Sequence, residues 1–166
     1  VEKMCHQINV QLYNSNWRPD LIVGITRGGN VTATMLSNML DIPADAIKIS
    51  FRDDNKVVQS SKGLAEEAFG LKEREMPTTA RGKKILIVDD INDSGATFKA
   101  LKEDWQKSCL PDDPWWEQVW GTSVRFCTLT ENLSSEFDQV DYYSDSVNKA
   151  DEDVWLVYPW ENISEY

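Results

Sequence analysis

The stretch Ile85-Leu-Ile-Val-Asp-Asp-Ile-Asn-Asp-Ser-Gly-Ala-Thr97 constrains the fold more than any other part of the chain. Its first residues, with Lys84, read as a buried strand that delivers two adjacent acids, Asp89 and Asp90, to its end. A third acid, Asp93, follows, and a small polar turn, Ser94-Gly95-Ala96-Thr97, then opens a helix. Small residues let backbone N–H groups approach an anion closely, and a helix start adds partial positive charge. Ser94 and Thr97 can donate hydroxyl hydrogen bonds, so this half suits a phosphate. The paired carboxylates can accept hydrogen bonds from the hydroxyls of a polyol. Together they describe a ribose 5-phosphate pocket. The plainer account is a strand–turn–helix with Asp93 as N-cap, but three acids at one strand end are costly without a ligand.

The rest of the chain alternates strands and helices. Met4, Ile8 and Leu12 sit at helical spacing within residues 1–14. Leu21 to Ile25 is a short buried strand, and Val31, Met35, Met39 and Leu40 mark one helix face that stops before Pro43. Ala46 to Phe51 reads as a strand. Phe98, Leu101 and Trp105 form a helical stripe ended by Pro111 and Pro114. Val124 to Leu129 and Val140 to Tyr143 are further strands, and Val154 to Val157 is a short apolar segment. This order predicts one α/β domain over residues 1–166, with a mostly parallel sheet flanked by helices. Ligands of such sheets gather at the carboxyl ends of the strands. Residues 52–82 are rich in charge, Ser and Gly, which predicts a long functional or disordered connection.

The Ile85–Thr97 stretch resembles the phosphoribosyl pyrophosphate (PRPP) signature of the type I phosphoribosyltransferases. That resemblance implies ribose hydroxyls on Asp89 and Asp90, and the 5-phosphate on Asp93 through Thr97. Asp93 would also stand near the incoming base as a general base. Thr26-Arg27-Gly28-Gly29, after the first strand, is similar to the family's pyrophosphate loop. There Arg27 and the amides around Gly28 and Gly29 would bind pyrophosphate, with a cis peptide between Thr26 and Arg27. The 52–82 stretch corresponds in position to a flexible loop that closes over the reaction centre. Arg52, Lys62, Arg74 and Arg81 are its candidate pyrophosphate ligands, and no motif singles one out.

Asp153-Val-Trp-Leu-Val-Tyr-Pro-Trp-Glu161 is similar to the hood of bacterial xanthine-guanine enzymes. In that likeness residues 130–166 form a small C-terminal hood. Trp155 stacks on the base, the backbone of Leu156 reads the purine edge, and Glu161 assists a metal. Trp155 and Trp160 are otherwise core or edge aromatics. The resemblance implies transfer of the phosphoribosyl group of PRPP to a 6-oxopurine. It also implies Mg²⁺, held mainly through pyrophosphate with Asp89, Asp90 and Glu161, and a homodimer or homotetramer. One departure concerns the base. The lysine that relatives carry just after the strand that here ends near Leu129 is absent from Thr128-Leu-Thr-Glu131, leaving Thr130 as a weaker donor. An enzyme for orotate or another pyrimidine, and a PRPP-sensing regulator without turnover, are the alternatives.

Composition bears on partners. The formal net charge of −11 opposes a general nucleic-acid binder, which needs a basic face, so neither nucleic acid nor membrane is an expected partner. It does not oppose a small anion, because local amides and a few cations outweigh global charge. The amino end is polar and mixed, unlike a signal peptide, and no apolar run approaches a membrane span. Three distant cysteines and a single histidine, His6, predict neither a disulfide framework nor a zinc site, and favour a reducing cytoplasm.

Overall fold

The computed structural model describes residues 1–51, 56–74, 82–151 and 156–160. Six strands form one sheet: β1 (Leu21–Thr26), β2 (Ala44–Ser50), β3 (Val57–Val58), β4 (Ile85–Asn92), β5 (Val124–Asn132) and β6 (Val140–Val147), in the order β3-β2-β1-β4-β5-β6. Only the β2–β3 pairing is antiparallel; the other four are parallel. The helices are α1 (Glu2–Asn14), α2 (Gly28–Leu40), α3 (Lys62–Phe69), α4 (Ala96–Ser108) and the short α5 (Trp116–Val119).

Alternate residues of a strand point to opposite faces, and here both faces are covered. Val23, Ile25, Ile85 and Ile87 pack with Phe69, Leu101, Trp105 and Trp116 from α3, α4 and α5. Ile22, Leu86 and Val88 pack with Ile8, Leu12, Ala33 and Leu36 from α1 and α2. That is why β4 reads as an uninterrupted apolar run. Ile85 through Val88 are each 0% exposed, and burying one such side chain contributes roughly 1.5–3 kcal/mol. The end of β4 is therefore a rigid platform for whatever follows it.

The topology also places the site. From β1 the chain moves outward to β2, whereas β4 lies on the other side of β1. Helix α2 joins one face of the sheet and α4 the other. Two connections diverging from adjacent parallel strands leave a crevice at the strands' carboxyl ends.

Three sequence expectations change. The fully buried face of α2 is Gly29, Thr32, Ala33 and Leu36; of the expected stripe, Met35, Met39 and Leu40 are half-buried against that core and Val31 is exposed. The 52–82 connection is not wholly a loop. Residues 57–58 add β3 to the sheet, and α3 buries Ala65, Ala68 and Phe69 in the core. Residues 52–55 and 75–81 of it lie outside the described ones. Finally, the segment assigned to a hood from residue 130 begins inside the main sheet, because β5 runs to Asn132 and β6 from Val140 to Val147. Helix α5 carries no helical stripe long enough to be read from sequence.

Candidate active site

Asp89 and Asp90 stand at the end of β4 in the middle of the sheet. Asp89 is buried and Asp90 half-buried. One oxygen of each carboxylate accepts a backbone N–H from the next residue: Asp89 Oδ1 from Asp90 and Asp90 Oδ1 from Ile91, both at 2.8 Å. Burial pushes the Asp89 carboxyl well above the usual carboxylate range, and the adjacent Asp90 charge pushes it further. Two carboxyl groups in this position favour a partner that supplies hydroxyl donors or positive charge.

The turn after β1 is pressed against them. A β-carbon on Gly28 would lie 2.2 Å from Oδ2 of Asp90, and one on Gly29 would lie 2.2 Å from the carbonyl oxygen of Val88 and 2.9 Å from Cα of Asp89. Glycine is required here for close approach of one backbone to another. The Thr26–Arg27 peptide is cis, as the resemblance implied. Arg27, exposed, takes the N-cap position of α2, so the amides of Gly28 and Gly29 belong to a helix N-terminus.

A second helix N-terminus lies on the other side of the acids. Gly95 caps α4 with φ of 92°, and a β-carbon there would meet the Phe137 backbone nitrogen at 2.6 Å. Ser94 Oγ accepts the Ala96 N–H at 3.3 Å. Residues 89–98, which include Asp93, Ser94, Gly95, Ala96 and Thr97, line a cavity of about 190 Å³. Two amide-rich turns thus flank one pair of acids. A wider open groove of about 680 Å³ runs beside α4 and residues 136–139. Two of its lysines are already engaged, Lys99 with Glu136 at 3.1 Å and Lys102 with Gln139 at 2.6 Å. It lacks the paired acids and amide turns.

A family model for the phosphoribosyl transferase domain matches residues 1–160 of the chain. The chain belongs to the phosphoribosyltransferase family. It is 24% identical over 189 residues to xanthine phosphoribosyltransferase 1 of Saccharomyces cerevisiae, covering 100% of this chain and 89% of that one. With the xanthine-guanine phosphoribosyltransferase of a Ruegeria species it shares 29% over 157 residues, 92% of this chain and 73% of the relative. Among solved structures, a purine phosphoribosyltransferase from Pyrococcus horikoshii superposes with a TM-score of 0.64 at 24% identity, over 98% of this chain and 89% of that one. The last likeness concerns the fold. No helix among the described residues is long and apolar enough to cross a membrane.

Other expected site residues of this phosphoribosyltransferase fall differently. Thr130 is buried, and its hydroxyl is engaged with the Tyr158 hydroxyl at 2.5 Å, so the expectation that it donates to a base is corrected. The same Tyr158 hydroxyl donates to the main-chain oxygen of Asp90 at 3.3 Å and its ring stacks on Trp160, 4.9 Å between centroids. Leu156 is half-buried against the α1–α2 face of the core. Trp155 and Glu161 lie outside the described residues, as do Arg52 and Arg81. Lys62 is exposed and pairs with Glu66 at 3.9 Å, and Arg74 is exposed.

Two neighbours of Asp93, Lys149 and Asn132, and the buried carboxyl of Glu131 escaped the sequence reading. Lys149 places Nζ 2.9 Å from Asp93 Oδ2. Asn132 Nδ2 donates to the Asp93 main-chain oxygen at 2.9 Å, while its Oδ1 accepts the Lys149 N–H at 3.0 Å. Glu131 is buried and accepts Asn92 Nδ2 at 2.9 Å on Oε1, but Oε2 has no hydrogen-bond partner among the described residues. Burial pushes the Glu131 carboxyl up to about 7, against the smaller opposing effect of the Asn92 hydrogen bond.

The Glu131 shift has a thermodynamic sign. A carboxyl whose folded-state pKa is raised stabilises the fold while protonated, and that stability is lost as pH rises through the folded-state value. The loss falls between about pH 4.5 and 7, and amounts to roughly 2–3 kcal/mol. Glu131→Gln is expected to flatten this fall, removing about 5–10 °C of Tm change between pH 5 and 7.5. Melting curves of both proteins across that range check it, and parallel curves would refute the assignment.

Proposed function

We propose that this protein is a purine phosphoribosyltransferase that transfers the phosphoribosyl group of PRPP to the base, giving a nucleoside 5-monophosphate and pyrophosphate. The observation that carries the reading is the placement of Asp89 and Asp90 between two helix N-termini, α2 at Gly28 and α4 at Ala96. PRPP has the matching order of groups: pyrophosphate on one side of a ribose diol and a 5-phosphate on the other. The names of the relatives support a purine as acceptor.

In this reading the amides of residues 94–97 hold the 5-phosphate and the two carboxylates accept the 2- and 3-hydroxyls. Arg27 and the α2 amides stabilise charge on the departing pyrophosphate. N9 of the base bonds to C1 of the ribose as the bond from C1 to the pyrophosphate oxygen breaks, and that oxygen keeps the electron pair. The proton on N7 of the base passes to the Asp93 carboxylate. Trp155 supplies the stacking face.

The donor set fits Mg²⁺. Asp89 and Asp90 are hard oxygen ligands, and no group of three or more acids, histidines or cysteines able to hold a metal exists among the described residues. One or two carboxylates completed by substrate phosphate oxygens and water is the usual arrangement for this ion. Bound there it would neutralise charge on the pyrophosphate, with Glu161 as a further candidate ligand.

The test is a turnover panel of guanine, xanthine, hypoxanthine, adenine and orotate, each with PRPP and Mg²⁺. Turnover of at least one purine, with orotate inactive, is expected. Orotate turnover without purine turnover would refute the purine half. No turnover of any base, with PRPP still bound, would refute the enzymatic reading.

A further inference from the structure

We propose that the buried pair Asn92 and Glu131 positions the 5-phosphate turn: it clamps residues 133–137 against Ser94 and Gly95, and so sets the affinity for a ribose 5-phosphate. The inference rests on the reading above, in which the amides of residues 94–97 hold the 5-phosphate of PRPP. It adds two positioning residues that act through that turn.

The pair joins adjacent strands. Asn92 ends β4 and stands opposite Glu131 of β5 in the parallel register. Asn92 is 3% exposed and Glu131 7%. A side-chain amide has two N–H bonds, and Asn92 uses both. One goes to Glu131 Oε1 at 2.9 Å and the other to the main-chain oxygen of Phe137 at 2.8 Å. Glu131 thus orients Asn92, and Asn92 holds Phe137. The Phe137 ring packs in turn on Phe98 and Phe126, at 5.3 and 4.9 Å between centroids.

The segment held at Phe137 is the outer wall of the turn. Glu136 N–H donates to the Ser94 carbonyl at 3.2 Å. A β-carbon on Gly95 would meet the Phe137 nitrogen at 2.6 Å and Ser135 Oγ at 3.0 Å, so the turn lies directly on this wall. The turn after β1 rests instead on β4 itself, through Gly29 against Val88 and Asp89. Loosening the pair should therefore disturb one turn and spare the other. The chemistry of the pair agrees. Two apolar residues would fill these positions without desolvating an amide and a carboxyl. Here Glu131 Oε2 is buried with no hydrogen-bond partner among the described residues, which opposes stability. Directed hydrogen bonds fix where the Phe137 carbonyl stands, which packing alone does not.

The experiment measures dissociation constants of ribose 5-phosphate and of pyrophosphate with Mg²⁺, and melting curves. The proteins are wild type, Glu131→Gln, Glu131→Met and the double variant Asn92→Leu with Glu131→Met. Glutamine keeps an acceptor oxygen for Asn92, so ribose 5-phosphate should bind within about 3-fold of wild type. Glu131→Met should weaken it roughly 10-fold, and the double variant, which also releases Phe137, should weaken it more. Pyrophosphate should change less than about 3-fold in each. The double variant leaves no side-chain amide or carboxyl of the pair unpaired, so it decides by the same ratio should Glu131→Met not fold. An equal loss of both ligands would overturn the proposal, because the pair would then support the whole site. Unchanged ribose 5-phosphate binding in the double variant would overturn it too. So would a loss in Glu131→Gln as large as in Glu131→Met, since the bond to Asn92 would then be irrelevant. If wild type binds neither ligand and turns over no base, the PRPP reading itself fails and takes this inference with it.

Discussion

Replacing Asp89 and Asp90 together by asparagine should lower PRPP turnover by roughly 10²- to 10⁴-fold while leaving the protein folded, with Tm unchanged or raised. The size follows from the hydrogen bonds lost. Under the proposed function each carboxylate accepts from a ribose hydroxyl, and a hydrogen bond to a charged group contributes about 1.5–3 kcal/mol. The retained fold follows from what asparagine keeps. Its Oδ1 can still accept the Asp90 and Ile91 amides at the 2.8 Å seen for both acids. The thermal effect follows from the raised Asp89 pKa: two crowded, desolvated carboxyls oppose folding once ionised. Each kcal/mol relieved raises Tm by about 2–4 °C for a chain of this size. Steady-state rates and melting curves on the double variant at pH 7.5 test both halves. Rates like those of wild type would remove these acids from the ribose site, and a marked fall in Tm would make them structural.

The two adjacent glycines of the turn after β1 should respond differently to the same methyl group. Gly29→Ala is expected to destabilise the fold by roughly 3 kcal/mol or more, because its β-carbon meets the backbone of Val88 at 2.2 Å and a central strand cannot retreat. Gly28→Ala meets only side-chain atoms of Asp90, Oδ2 at 2.2 Å, Cγ at 2.5 Å and Oδ1 at 2.9 Å, and a side chain can swing away where a strand backbone cannot. Its fold should survive. Its turnover should fall about 100-fold, because a displacement near 1 Å of a binding group costs that much. Urea unfolding separates the first outcome from the second, and steady-state kinetics completes the comparison. Equal stability of the two variants would contradict the packing of the turn against β4.

The sequence made the two ligand-binding turns legible because each is local. A strand, its terminal acids and the small residues after it are contiguous in 85–97, and a strand, Thr26, Arg27 and two glycines are contiguous in 21–29. What sequence could not show depends on contacts across the sheet. Lys149 reaches Asp93 only through the parallel register of β5 and β6 and the bridging Asn132. Thr130 looked available as a donor until Tyr158, 28 residues later, met its hydroxyl. The face of α2 was read only in part, with Met35, Met39 and Leu40 at its half-buried edge and Val31 exposed, because apolar bulk was taken as the guide to burial. A helix starting at a turn pressed onto its own strand buries small residues instead, here Gly29, Thr32 and Ala33. Helix α3 was hidden among Lys and Glu, although Ala65, Ala68 and Phe69 carry a short buried stripe.

Strands β1 and β4 are the middle pair of the sheet, and each is followed by one of the two turns proposed to hold the phosphate groups of PRPP. A ligand grasping both turns acts as a removable cross-brace between them. By mass action, a ligand that binds only the folded chain adds about 2.7 kcal/mol to its stability at a hundredfold excess over Kd. Under the proposed function, the concentration of PRPP would set not only the rate of this protein but also its resistance to unfolding and proteolysis, so that scarcity of substrate shortens the life of the catalyst.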